Sequence, residues 1–167
     1  RSLLAWWSEK GRAGIPWKCL PNGESPPPDQ HLDPYRIWIA EVMLQQTQLA
    51  VVIPYWQTWM EAFPTVEALA AVSLQKVHLR WQGLGYYARA RRLHRAAQRL
   101  VDQPWPQTLA GWMALPGIGR STAGSILSSA FNAPAAILDG NVKRVLSRLQ
   151  AHPRPPAREQ ALFWSWS

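Results

Sequence analysis

Two segments of this 167-residue chain carry residue types suited to chemistry beside a phosphate. The first is Leu115-Pro116-Gly117-Ile118-Gly119-Arg120-Ser121-Thr122-Ala123-Gly124; the second is Leu138-Asp139-Gly140-Asn141-Val142-Lys143-Arg144-Val145. Gly117 and Gly119 accept backbone angles that other residues resist and let an anion approach closely. A helix opening near Ser121 adds unpaired N–H groups and the positive end of its dipole. Such contacts hold a strand without reading its bases, although a plain turn between packed helices would use the same residues. Asp139 follows Gly117 by 139 − 117 = 22 residues, room for one helix and a return to its start. Asp139 is also placed to cap the helix that opens near Asn141, and the two roles are compatible. Hydrogen bonds from main-chain N–H groups favour the charged form of a carboxylate, and a fixed anion stabilises a cationic transition state.

Glu41 is the second candidate acid. At helical spacing its neighbours are Ile37, Trp38 and Leu44, with Gln45 the one polar residue and no Lys or Arg. Such a glutamate lies either on an exposed helix edge or buried without a cation on its own helix. Burial would keep it protonated near neutral pH, as a general acid requires. Gln45-Gln46 can pair with base edges, and Tyr86-Tyr87 can fill a gap in a base stack; isolated cases of either are more often structural. His31, His78, His94 and His152 have no metal-ligand spacing, and one cysteine, Cys19, excludes an internal disulfide.

The elements that position these residues read as helices throughout. Leu3 to Lys10 is amphipathic and stopped by Gly11. Cys19 to His31 is proline-rich and reads as a mobile loop. Asp33-Pro34 is a strong helix start, and that helix runs to Gln46. A second helix is expected around Pro54 to Phe63, with shorter ones at Val66–Ala71 and Leu74–Trp81. From Tyr86 to Val101, Tyr86, Ala90, Leu93, Ala97 and Leu100 make one apolar stripe, while Arg89, Arg92, Arg95 and Arg99 make a basic stripe on another face. Leu109–Ala114 and Ser121–Phe131 enclose the glycine loop as a helix–hairpin–helix, and Asn141–Gln150 follows. No stretch alternates as a strand, so the fold is expected to be all-α.

Hydrophobic residues make up 47% of the chain, which excludes disorder. The net charge of +8 favours polyanionic partners and says little about fold. No apolar run spans a membrane and no signal pattern stands at the N-terminus, so an intracellular protein of the bacterial cytoplasm, monomeric and without a membrane partner, is expected. Of the 11 tryptophans, some will be core and some could stack on bases. The chain ends within an apolar helical pattern at Phe163-Trp164-Ser165-Trp166-Ser167, which reads as a fragment.

Taken together, these residues resemble the catalytic core of MutY-type adenine DNA glycosylases of the helix–hairpin–helix superfamily, from Leu3 to about Leu149. Four stretches carry the resemblance in order: Glu41-Val42-Met43-Leu44-Gln45-Gln46-Thr47-Gln48, Gly83-Leu84-Gly85-Tyr86-Tyr87-Ala88-Arg89-Ala90-Arg91, Gly119-Arg120-Ser121-Thr122-Ala123-Gly124 and Ile137-Leu138-Asp139-Gly140-Asn141-Val142. The resemblance implies a six-helix bundle over 33–150 with the helix–hairpin–helix at 109–131. A second helical lobe, incomplete here, would be built from 1–32 and 151–167. It implies double-stranded DNA as partner and removal of adenine mispaired with 8-oxoguanine or guanine. Glu41 would protonate the departing adenine, Asp139 would stabilise the sugar cation, through a covalent sugar intermediate, and Asn141 would support them. Gln45, Gln46, Tyr86, Gly117, Gly119, Arg120 and Ser121 would contact DNA, with Trp17 and Lys18 near the adenine pocket. Relatives resembling endonuclease III carry lysine at the Ser121 position and nick the strand through an imine; serine cannot, so base removal without efficient strand cleavage is expected. Members of the family bind a [4Fe-4S] cluster through four cysteines, which this chain lacks, so no cofactor is expected in it and a cluster is expected in the full-length protein. Two alternatives stand beside this reading: another base-excision glycosylase of the same superfamily, or a truncated DNA-binding module without catalysis.

Overall fold

A computed structural model describes residues 2–12, 14–20, 22–27 and 29–167, and among them every regular element is helical. Ten α-helices run in chain order: α1 (Leu3–Lys10), α2 (Pro34–Leu44), α3 (Leu49–Ala62), α4 (Val66–Ala71), α5 (Leu74–Trp81), α6 (Ala88–Leu100), α7 (Leu109–Met113), α8 (Arg120–Phe131), α9 (Gly140–Leu149) and α10 (Gln160–Trp166). Short 3₁₀ turns occupy Pro16–Lys18 and Pro156–Arg158. Of the proline-rich loop, Pro21 and Pro28 lie outside the described residues. Among the described residues no helix is long and apolar enough to cross a membrane.

Most helix starts follow from polar caps. Asp33 accepts from Tyr35 N at 2.8 Å with Pro34 at the first helical position. Thr65, Ser73 and Thr108 cap α4, α5 and α7 in the same way. The second long helix departs from expectation. It opens at Leu49, five residues before Pro54, and carries that proline inside it. Proline there gives up an N–H bond and crowds the Ala50 carbonyl, but the all-apolar Leu49–Ile53 turn buries Val52 fully.

Helix α2 is the axis of the bundle, in contact with α3, α6 and α8. Ile37, Trp38, Ile39, Ala40 and Met43 are all fully buried. Around them Trp38 meets the rings of Tyr35, Trp105 and Trp112 with centroids 6.3 Å apart in each case, while Trp59 meets Phe63 and Trp81. Trp17, Trp38, Trp56, Trp59, Trp81 and Trp112 are buried, so most tryptophans are core rather than base-stacking surface.

The α6 stripes are corrected at their first turn. Ala90, Leu93, Ala97 and Leu100 are buried as the period requires, but Tyr86 lies outside the helix, 65% exposed, with φ +48°. Arg89 leaves the basic stripe altogether: it is 7% exposed and turned into the protein. In contrast, α1 and α9 bury no residue. Phe163 of α10 is fully buried, against the rings of His152 and Trp166.

Candidate active site

Glu41 and Asp139 reach one cleft of about 1440 Å³ from opposite parts of the chain. Glu41 stands in the last turn of α2, where the helix leaves the core and its flank faces α8. Burial pushes its carboxyl above the ordinary glutamate range, and the nearby charge of Asp139 pushes the same way. The polar side chain of Ser125 and the charge of Lys18 pull the other way, and burial is the largest effect. The cation missing from its own helix is therefore supplied across space, by the 3₁₀ turn at Pro16–Lys18.

Asp139 is the N-cap of α9. Its Oδ1 accepts from Val142 N at 2.8 Å and its Oδ2 lies 3.5 Å from the Asn141 amide nitrogen. Asn141 lines the same cleft. The strand-like segment that delivers Asp139 is held by α8 in two ways. Ser121 Oγ accepts from Leu138 N at 3.1 Å. Gly124 is buried so tightly that an added Cβ would meet Ala136 O at 2.3 Å, a close approach only glycine allows.

One face of α8 thus ties three functional segments together. Ser121 holds the approach to Asp139, Thr122 Oγ1 accepts from Gln45 Nε2 at 3.4 Å, and Ser125 lines the cleft with Glu41. Residues 121, 122 and 125 share a face by helical spacing. That spacing was visible in the sequence, but nothing there marked those hydroxyls as turned toward α2. Gly124 carried no mark either: its requirement comes from Ala136, twelve residues away in an irregular segment.

At the mouth of the cleft stand Gln46 and Tyr86, both exposed, with φ +59° and +48°. Left-handed angles at non-glycine residues cost about 1–3 kcal/mol and cluster at working surfaces. Gln45 also lines the cleft.

Not every expected residue converges. Gly117, Gly119 and Arg120 form the hairpin between α7 and α8, outside the cleft lining. Gly117 has φ +84° and presses on the Arg92 side chain, where a Cβ would meet Arg92 Cβ at 3.0 Å. Gly119 is the N-cap of α8 and supplies no side-chain bond, so the first N–H groups of that helix face outward uncapped. The Arg120 guanidinium lies over the Trp164 ring of α10, 4.0 Å from its centroid. Trp17 is corrected: it is 2% exposed, packs on Trp56 at 5.5 Å and does not line the cleft, because its ring completes the core beneath α3. Lys18 is exposed and acts on the site through its charge at Glu41.

Among the described residues no group of three or more His, Cys, Asp or Glu side chains could hold a metal ion. The lone half-buried Cys19 cannot supply a cluster's thiolates, so the residues present do not fit an iron–sulfur cluster.

A protein-family model described as HhH-GPD superfamily base excision DNA repair protein matches residues 39–166. The chain is 42% identical to the human protein named adenine DNA glycosylase, over 93% of this chain and 29% of that protein. It is 42% identical to a Buchnera aphidicola protein of the same name, over 89% of this chain and 40% of that one. The chain therefore spans about a third of the length of such relatives. Its fold is similar to that of endonuclease III in a complex with DNA, with a TM-score of 0.67 and 30% identity over 75% of this chain and 60% of that one. A thermostable thymine-DNA glycosylase shares the fold at a TM-score of 0.73 and 23% identity, covering 86% of this chain and 63% of the other.

Proposed function

Because the chain belongs to the HhH-GPD superfamily of base excision DNA repair proteins, we propose that its cleft hydrolyses the N-glycosidic bond of adenine mispaired with 8-oxoguanine or guanine in duplex DNA. The observation that carries this reading is the convergence of Glu41 and Asp139 on one cleft with Gln46 and Tyr86 at its mouth. Glu41, whose affinity for a proton is raised by burial, donates that proton to the departing adenine, which leaves poorly as an anion. Asp139, fixed by Val142 N and beside Asn141, faces the positive charge that develops on the sugar. An acid on the leaving group and an anion at the sugar is the division of labour of glycoside cleavage. A stacked adenine is out of reach of both, so the nucleotide must turn out of the duplex, at a cost of roughly a few kcal/mol. Gln46 and Tyr86 fill the space it leaves.

The uncapped start of α8 and the Gly117–Gly119 turn hold a backbone phosphate beside the cleft. Ser121 cannot form an imine, and its hydroxyl is occupied by Leu138 N, so the reaction ends at base removal.

The test is incubation of excess protein with a duplex holding adenine opposite 8-oxoguanine, followed by alkali. Breaks at the adenine position are expected, and are expected to vanish in Glu41→Gln and Asp139→Asn. Tight binding with no breaks would leave only a DNA-binding module.

A further inference from the structure

Arg89 carries a buried positive charge that the chemistry above does not use. Its guanidinium donates to Val42 O at 3.1 Å, Met43 O at 2.8 Å and Gln45 O through one nitrogen. Through the other it reaches Thr47 Oγ1 at 3.2 Å, Leu84 O at 3.1 Å and Gly85 O at 3.5 Å. It also lies over the rings of Trp81 and Tyr86, at 5.3 and 5.5 Å from their centroids. Val42, Met43 and Gln45 present carbonyls where α2 ends, at the negative pole of that helix; Val42 O also accepts from Gln45 N, and Gln45 O from Thr47 Oγ1. Leu84 and Gly85 belong to the turn before α6. One planar fork therefore staples the loop after α2 to the loop before α6.

The two strained residues sit inside that staple. Gln46 is flanked by Gln45 and Thr47, both bonded to Arg89. Tyr86 follows Gly85, also bonded to Arg89, lends its ring face to the guanidinium and accepts Arg89 N at 2.8 Å through its carbonyl. Left-handed angles persist only where surroundings over-determine them, and here one side chain constrains both.

We propose that Arg89 is the positioning residue for duplex entry, setting the distance between Gln46 and Tyr86 so that both insert as one rigid unit. It lines the cleft, but it acts through those two residues rather than on the reacting bond. This rests on the function proposed above, since it assigns both side chains to the gap left by the extruded adenine. Lysine keeps the charge but has no planar fork and cannot span both loops.

The experiment uses the 167-residue chain and a duplex carrying 2-aminopurine opposite 8-oxoguanine, whose fluorescence rises when the base unstacks. Arg89→Lys is expected to bind undamaged duplex with an unchanged salt slope, because lysine keeps the positive charge. The fluorescence rise should be largely lost, and single-turnover adenine release should fall on the order of 10²-fold, the penalty of a misplacement near 1 Å. In a Gln46→Ala, Tyr86→Ala background, Arg89→Lys should add almost nothing, which a residue serving only stability would not do. Thr47→Val, which removes one acceptor and leaves the core intact, should lower the fluorescence rise by a few-fold and covers the case in which Arg89→Lys does not fold. A full fluorescence rise in Arg89→Lys, or in Thr47→Val if Arg89→Lys does not fold, overturns the proposal, as does an additive loss in the triple variant. Absence of any rise or adenine release in the unaltered chain overturns the function itself, which separates the two failures.

Discussion

Ser125 of α8 and Glu41 of α2 line the same cleft, and the polar side chain of Ser125 favours the charged form of the Glu41 carboxyl. Burial and Asp139 favour the acid. Ser125 therefore trims the acidity of the group proposed to deliver the proton. Activity is expected to be full while Glu41 is protonated and to fall as pH rises through its raised pKa. Ser125→Ala removes the one neutral partner of the charged form, so its descending limb should move to higher pH, and Ser125→Thr should move it back. A pH–rate profile of single-turnover adenine release reads both. An unmoved limb in Ser125→Ala would show that this hydroxyl does not set the proton's affinity.

Glu41 also couples catalysis to stability. Its folded pKa is raised, so the folded chain binds this proton more tightly than the unfolded chain does. The associated stability is present below the ordinary glutamate pKa and is lost as pH rises through the raised one. Glu41→Gln should therefore abolish base release and raise the melting temperature at neutral pH, with less gain at pH 4. A melting temperature that fell at neutral pH would remove burial as the main influence on this carboxyl.

Asp139 separates charge from capping. Asparagine caps a helix about as well as aspartate, so Asp139→Asn should leave the melting temperature within a degree or two. Base release should drop by roughly 10²–10³-fold, the usual loss when one electrostatic partner of a transition state is removed. Asp139→Ala should lose as much activity and about 1 kcal/mol of stability besides. Comparison of melting curves and single-turnover rates for the two variants checks this.

Gly124→Ala tests the seam between α8 and the segment before Asp139. A methyl group cannot sit 2.3 Å from Ala136 O, so that segment must retreat. A loss of about 1–3 kcal/mol is expected, the usual cost of overpacking, with a larger relative loss of base release than of DNA binding. Equal losses in both would mean that the seam serves only stability.

Arg92 and Arg95 are exposed on α6 where Arg89 is buried. Alanine at either should reduce the salt slope of duplex binding by about 1. Binding titrations between low and physiological salt measure it, and unchanged slopes would make the stripe an ordinary solvated face.

Much of this site was legible without coordinates, and the limit of legibility has a physical pattern. Local rules served wherever a residue's task lies within its own helix. Asp33, Thr65, Ser73 and Thr108 cap as their types require, and the period of α6 gives its buried face. They failed where a distant segment sets the requirement. Arg89 and Arg92 are three residues apart in a run of arginines, and only the carbonyls at the end of α2 and in the 84–85 turn decide which one goes inside. Gly124 resembles any helical glycine until Ala136 arrives. Tyr86 fits the apolar stripe by number, yet its left-handed angle puts it beyond the helix. Both Trp17 and Lys18 of the Pro16–Lys18 turn stand out by resemblance, but only the folded chain shows that the lysine acts on Glu41 through its charge while the ring goes into the core.

Helix α9 carries Asp139, the proposed anion, at its N-cap while burying none of its own residues fully. Its anchorage runs through Leu138, the bond to Ser121 and the fit at Gly124, with α10 and the 156–158 turn beside it. Elements with so little buried surface open at a fraction of the global unfolding free energy. The two proposed halves of the reaction centre should therefore differ in thermal endurance. On warming, Asp139 is expected to lose its place before Glu41 does, and base release to fade before the helical signal.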